Sequence, residues 1–234
     1  MPATHANYRN VLAGVPIFAE LTEAELRFVT ERIVTRTFTP GESIFSEGDP
    51  CTGLYIVERG QVRIFKSSAS GREQVLSIDG SGSSIAEVPV FDGGAYPASA
   101  SALGEATLLF IGKRDFHELC LAHPQVALKA LKVVGARLRK LVGIIEELSF
   151  TTVRRRLVAL LVRLARAEGS PTADGIAIAL PASHQELAAQ IGTVRELVSR
   201  NLSRLQAESL IRISGRTVTL LDLPALEAEI DGVS

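Results

Sequence analysis

The chain has 234 residues, 46% of them hydrophobic, and a formal charge of −1. That composition supports packed cores and excludes a disordered chain. No run reaches the roughly 18–20 apolar residues of a membrane helix, the N-terminal MPATHANYRNVLAG lacks a signal peptide's apolar stretch, and two cysteines, Cys51 and Cys120, are too few for a disulfide framework, a four-cysteine cluster or a zinc ribbon. A cytoplasmic protein without membrane contact is expected.

Along the chain, residues 22–36 carry a helical pattern, with Leu26, Val29 and Ile33 recurring and Thr22 and Glu25 in capping-box spacing. From about residue 37 to Lys113 the pattern changes to short alternating runs cut by glycine-bearing turns, as in TRTFTPGESIFSEGD and CTGLYIVERGQVRIFK. This predicts an antiparallel barrel or sandwich. RDFHELCLAHP then reads as a short amphipathic helix stopped by Pro124. The following helix carries Leu131, Val134, Leu138, Leu141, Ile145 and Leu148 at intervals of 3, 4, 3, 4 and 3. Such a heptad seam suits a parallel dimer, while a helix packed on its own barrel would also use an apolar stripe.

The last third is read as helix (TTVRRRLVALLVRLAR), polar loop (AEGSPTADG), strand (IAIALP), helix opening on Ser183 and Glu186, tight turn at Gly192, second helix, and hairpin around Ser214-Gly215. That order is a winged helix-turn-helix. The expected organisation is α+β: an antiparallel barrel with flanking helices over 1–120, a long helix over 121–150, and the winged helix-turn-helix over 151–234. Charge agrees with it. Residues 151–220 hold 10 basic and 5 acidic groups, against 15 and 17 in residues 1–150. A basic block in a near-neutral chain suits a local polyanion contact or an ordinary solvated surface.

In GTVRELVSRNLSRLQ, at ~100° per residue, Arg195, Ser199, Ser203, Glu196, Arg200 and Arg204 share one half of the helix. Val194, Leu197, Val198, Leu202 and Leu205 share the other, interrupted only by Asn201. Arginine can bond guanine O6 and N7 together, a carboxylate can accept from cytosine N4, and serine can bond either way. In the first two turns of such a helix these groups suit base reading in the major groove. The bland role for Glu196 is as capping partner of Thr193.

RELVSR here, PGESIFSEGD and GLYIVERGQVRIF in the barrel, and the long helix between them together resemble the CRP/FNR family of transcription regulators, over roughly residues 15–222. The resemblance implies a jelly-roll (double-stranded β-helix) barrel, a homodimer built on the long helix, and two winged helices reading a palindrome in double-stranded DNA. It also implies contact with RNA polymerase. Carried over residue by residue, Arg195, Glu196, Ser199 and Arg200 match base-reading positions, with Ser183 and Arg204 as neighbouring DNA contacts. The Glu-x-x-Ser-Arg pattern resembles members reading TTGAT-like half-sites, whereas Arg195 resembles the branch reading TGTGA.

In the family's cyclic-nucleotide cassette a Gly-Glu pair meets ribose and phosphate, and an arginine pairs the phosphate. The matching stretch here is SSIAEVPVFDGGAYPASASA. Glu87 is kept, Ala86 replaces glycine, and Tyr96 and Pro97 stand where the arginine is expected, followed by Ser99. The polar adenine contacts fall at Leu141 and Val142. A desolvated phosphate needs a charge-assisted partner, so a cyclic AMP site is not expected. Haem sensing by a relative-like mechanism leaves no trustworthy signature among His5, His117, His123 and His184. His117, Cys120 and His123 are spaced three apart and spread over about 120° of a helix, a poor metal site; Cys51 is a candidate redox thiol. The reading is a regulator and not an enzyme. The alternatives are a regulatory subunit whose barrel controls another protein, and a metallohydrolase built on HELCLAH, which lacks H-E-x-x-H spacing.

Overall fold

The alternating runs from residue 34 onward fold as two antiparallel four-stranded sheets. The structure is a computed structural model and describes residues 8, 11–19, 21–69, 71–180 and 183–231; His5 lies outside them. Two units divide the chain: residues 1–66 with 76–142, and residues 67–75 with 143–234.

The strands in chain order are β1 (Val34–Phe38), β2 (Ser43–Phe45), β3 (Gly53–Arg59), β4 (Gln61–Ser67), β5 (Glu73–Gly80), β6 (Ser84–Ile85), β7 (Ser99–Ala102) and β8 (Ala106–Gly112). One sheet runs β1-β8-β3-β6 and the other β2-β7-β4-β5. Strand order crosses between sheets, as in a jelly roll. In β3 and β8 the inward-facing Tyr55, Val57 and Leu108 join Val62, Ala100, Ala102 and Ile85 in the interior between the sheets. Leu54, Ile56, Leu109 and Ile111 face the other way and pack under Phe116 and Leu119 of a helix. This strand pair is therefore buried on both sides, which is why it reads as a near-continuous apolar run.

The helical elements are α1 (Glu23–Thr30), α2 (Glu87–Asp92), α3 (Lys113–Ala122), α4 (Pro124–Phe150), α5 (Val153–Glu168), α6 (His184–Ile191), α7 (Arg195–Ala207) and α8 (Leu223–Asp231). The Thr22–Glu25 capping box forms as expected. The helix it opens is shorter than the sequence pattern suggests. Its continuation is taken by the β-branched V-T-R-T-F segment, which pairs with β8 from Val34↔Phe110 to Phe38↔Ala106.

The second core gathers Leu157, Val158, Leu161, Leu187, Val198, Leu202, Leu205, Ile211, Val218 and Leu226, all at most 1% exposed. Three helices, α5, α6 and α7, close around it, covered by a sheet of order β11-β12-β10-β9, with β9 (Ser170–Thr172), β10 (Gly175–Ala179), β11 (Ile211–Ser214) and β12 (Thr217–Leu220). The stretch expected to be a loop, AEGSPTADG, supplies β9. Pro171 is tolerated there because β9 is the sheet edge, where a missing N–H breaks no ladder.

One arginine ties this unit together. Arg154 of α5 reaches Glu208, just past α7, at 2.9 Å through Nη1 and 2.5 Å through Nη2. It reaches Glu229 of α8 at 3.0 Å through Nε and 2.5 Å through Nη2. Such two-pronged pairing fixes geometry as well as charge. The guanidinium holds the Glu208 carboxyl below its ordinary value, chiefly through the hydrogen bonds. A carboxyl with a depressed native pKa stabilises the fold above its ordinary pKa and loses that contribution as pH falls through the native value. Arg154→Met is expected to lower the urea midpoint at about pH 7 and to have much less effect at about pH 3. An equal loss at both values would assign the role of Arg154 to its aliphatic stem.

Candidate nucleic-acid interface and sensor cassette

The first helix of the helix-turn-helix opens with the expected capping box. Ser183 Oγ accepts from the Glu186 amide at 3.3 Å, and the Ser183 amide donates to Glu186 Oε2 at 2.6 Å. It closes on Gly192 in the left-handed conformation, φ 67°, which glycine adopts without Cβ strain. The Thr193 amide completes that closure by donating to Ala188 O at 2.9 Å. Thr193 is thus spent on the first helix. The second helix is capped by Val194, with no side-chain bond. The expected Thr193–Glu196 capping box does not form, and the Glu196 carboxylate is left for another purpose.

Val198, Leu202 and Leu205 are buried, while Arg195, Glu196, Arg200, Ser203 and Arg204 are exposed. Asn201, the interruption on the apolar side, is 8% exposed and donates its amide to Leu197 O at 2.8 Å, so its burial is satisfied within the helix. Among the described residues, Arg195, Glu196 and Arg200 have no hydrogen-bond or ion-pair partner. Ser199 is half-buried and meets His184 Nδ1 at 2.8 Å. Beside these helices lies a cleft of about 450 Å³ lined by Leu180, Ser183, His184, Glu186, Gly215 and Arg216. It brings the start of α6 next to the turn of the β11–β12 wing.

On the long helix, Leu131, Leu138 and Ile145, one heptad apart, are 61%, 61% and 63% exposed. Leu128, Val142 and Leu148 are exposed as well; Val134 and Leu141 are half-buried.

The cassette residues fall into two groups. Glu87 is 1% exposed; Ser84 Oγ donates to it at 2.5 Å, and Arg137 of α4 lies 3.5 Å away. Arg137 also lies 3.5 Å from Asp79 and donates to the Ser84 carbonyl. Burial pushes the Glu87 carboxyl up, against the opposing pull of Arg137 and Ser84. The preceding Ala86 sits at φ 74°, a left-handed conformation that costs a non-glycine residue roughly 1–2 kcal/mol. In the second group Tyr96 is 3% exposed and stacks on Phe45, with centroids 4.0 Å apart. Its hydroxyl accepts from the Thr52 amide at 3.2 Å. Ser99 Oγ accepts from the Glu47 amide at 3.0 Å, and Lys66, paired with Glu47 at 2.5 Å, donates to the Pro97 carbonyl. Sequence reasoning missed Arg137, Asp79 and Phe45. Arg137 lies one turn before Leu141 among other basic residues, Arg139 and Lys140, so nothing in the local sequence singles it out.

Tyr96 fills the arginine's neighbourhood with an aromatic stack. The nearby cation Lys66 is already paired, and Arg137 serves two carboxylates. Val142, expected over a bound base, is 56% exposed.

The HELCLAH residues are not brought together. His117 Nε2 meets Val90 O at 2.6 Å and His123 Nδ1 meets Glu25 at 2.5 Å. The half-buried Cys120 thiol is pushed up to about 11 by burial. Among the described residues no three His, Cys, Asp or Glu side chains group as a metal site, and no helix is long and apolar enough to cross a membrane. Cys51 is half-buried, with its thiol 3.7 Å from Gly53 O.

Residues 35–123 match the family model of the cyclic nucleotide-binding domain, and residues 155–229 that of the Crp-like helix-turn-helix domain. The chain is 32% identical over 216 residues to the cyclic AMP receptor protein of Thermus thermophilus, covering 92% of this chain and 97% of that one. Among solved structures, a CRP/FNR-family regulator of Eubacterium rectale superposes with a TM-score of 0.79 at 21% identity, covering 94% of this chain and 99% of that chain. The c-di-GMP-responsive global regulator CLP of Xanthomonas campestris gives 0.76 at 25%, covering 86% and 100%. These similar chains are regulators, not enzymes. With a jelly roll matching the one model, a winged helix-turn-helix matching the other, and a relative aligned across nearly its full length, the chain belongs to the CRP/FNR family of DNA-binding transcription regulators.

Proposed function

We propose that this regulator acts as a homodimer on a palindrome with TTGAT- or TGTGA-like half-sites, under control of a signal other than cyclic AMP received at the barrel. The observation that carries the DNA reading is the trio Arg195, Glu196 and Arg200, exposed on α7 and without protein partners. Three charged groups left free on one helix flank match the donor and acceptor pattern of G·C pairs. Ser199 supplies a fourth, neutral group. Ser183, at the cap of α6, and Arg204, one turn beyond Arg200, are phosphate contacts flanking them. RNA polymerase is the further partner, by family membership.

Dimer formation is supported by the exposed heptad residues Leu131, Leu138, Ile145 and Leu148. Water-facing leucines at this spacing gain about 25 cal/mol for each Å² they bury, and a second copy of the same helix offers a matching seam. Val134 and Leu141 flank it. Two winged helices so joined would place half-site centres about 34–36 Å apart. The functional organisation follows as sensor barrel over 1–120, dimer helix over 121–150 and DNA reader over 151–234.

The signal is assigned by what the cassette has in place of its family residues. Ala86, Glu87, Tyr96, Pro97, Ser99, Leu141 and Val142 offer no free cation for a cyclic phosphate. Arg137 joins the cassette to the long helix, so a ligand that altered the Glu87–Arg137 pairing would bias the arrangement of that helix. That is the differential contact a population shift requires.

Arg200→Ala is expected to weaken binding to a selected palindrome by about 1–3 kcal/mol and to relax selectivity at one base pair, read by competitive gel shift. Uniform weakening on all duplexes would make Arg200 a backbone contact only. Replacing Leu138 and Leu141 by lysine should halve the mass seen by sedimentation; an unchanged mass removes the seam from the argument. Titration calorimetry with cyclic AMP at about 1 mM should give no binding heat, and saturable binding in that range would restore the nucleotide as effector.

A further inference from the structure

A serine inside a helix ordinarily turns its hydroxyl back to the carbonyl four residues earlier. Asn201, two positions on, bonds in that direction, to Leu197 O at 2.8 Å. Ser199 does otherwise: its Oγ lies 2.8 Å from Nδ1 of His184, the first residue of α6. Both side chains are half-buried, and among the described residues the other ring nitrogen, Nε2, has no protein partner. His184 also lines the cleft beside the wing, with Ser183 and Arg216.

We propose that His184 is a positioning residue that sets the hydrogen-bond direction, and thereby the base preference, of Ser199. This rests on the reading of Ser199 as a base contact. The neutral ring has one donor and one acceptor nitrogen. With Nε2–H directed to the open side of the cleft, Nδ1 accepts the Ser199 hydroxyl proton. The serine then has no proton left to give a base. Its remaining lone pairs accept, so it selects an exocyclic amine in the major groove: adenine N6 or cytosine N4. A serine without this partner rotates freely and bonds either kind of edge. His184 thus turns an indifferent residue into a selective one without touching the base.

The test uses the full-length protein and a duplex library randomised across the half-site, with bound fractions sequenced. The wild type should prefer adenine or cytosine at one position, and Ser199→Ala should lose that preference. His184→Ala should lose about fivefold in selectivity at the same position, the equivalent of one ordinary hydrogen bond. Positions read through Arg195, Glu196 and Arg200 should keep theirs. His184→Asn keeps an acceptor near the place of Nδ1 and should restore much of the preference; it also guards against misreading a folding defect in the alanine variant. A Ser199→Ala profile that changes while the His184→Ala profile does not would overturn the role of His184 alone. Uniform weakening by His184→Ala across all sequences would likewise overturn it and leave a backbone contact. An unchanged profile in Ser199→Ala would overturn both the reading of Ser199 and this inference built on it.

Discussion

Val198, Leu202 and Leu205 go into the core of the winged unit against Leu157, Leu161 and Leu187, and this burial decides which side of α7 meets water. A helix has a single phase: fixing three residues on one flank fixes every other residue at 3.6 per turn. Arg195, Glu196 and Arg200 therefore face outward as a consequence of apolar packing and not of any contact they make themselves. The free energy comes from the hydrophobic flank, and the polar flank is left open to solvent. The two meet only in the phase of the helix. The tight closure of α6 on Gly192 sets where that phase begins, because it takes the Thr193 amide and moves the cap of α7 to Val194.

The barrel keeps its family architecture, and its cassette residues are engaged with one another. Glu87 remains, buried and facing Arg137, but the conformation before it is held by an alanine at φ 74°, where a glycine would be unstrained. Nearby, Phe45 stacks on Tyr96, whose hydroxyl accepts from the Thr52 amide. An acid pair, Asp79 and Glu87, shares one guanidinium, that of Arg137.

The strand pattern, the capping boxes at Thr22 and Ser183, the helix-turn-helix order and the two-sided character of α7 were legible because each rests on local periodicity or a local side-chain-to-backbone bond. The errors came where a neighbour competed for the same atoms. The helix over 22–36 stopped early because β8 offered Val34 a ladder. Thr193 matched a cap motif, yet its amide was needed one helix earlier. AEGSPTADG read as a loop because strand β9 is a short edge whose pairing with β10 leaves no alternation. In the same way, Arg137 and His184 meet partners 50 and 15 residues distant, Glu87 and Ser199. No spacing rule within one element reports such pairs. They follow only from which helix lies against which strand or helix.

The double fork of Arg154 sets a reference frame for the DNA-reading end of the protein. Glu208 immediately follows α7, and Glu229 belongs to the closing helix α8, so both are gripped by one planar group on α5. The far end of the chain is thereby surveyed against the same benchmark as the reading helix. A change in α8 near Glu229, though remote in sequence from α7, therefore bears on the same guanidinium that holds the residue after α7.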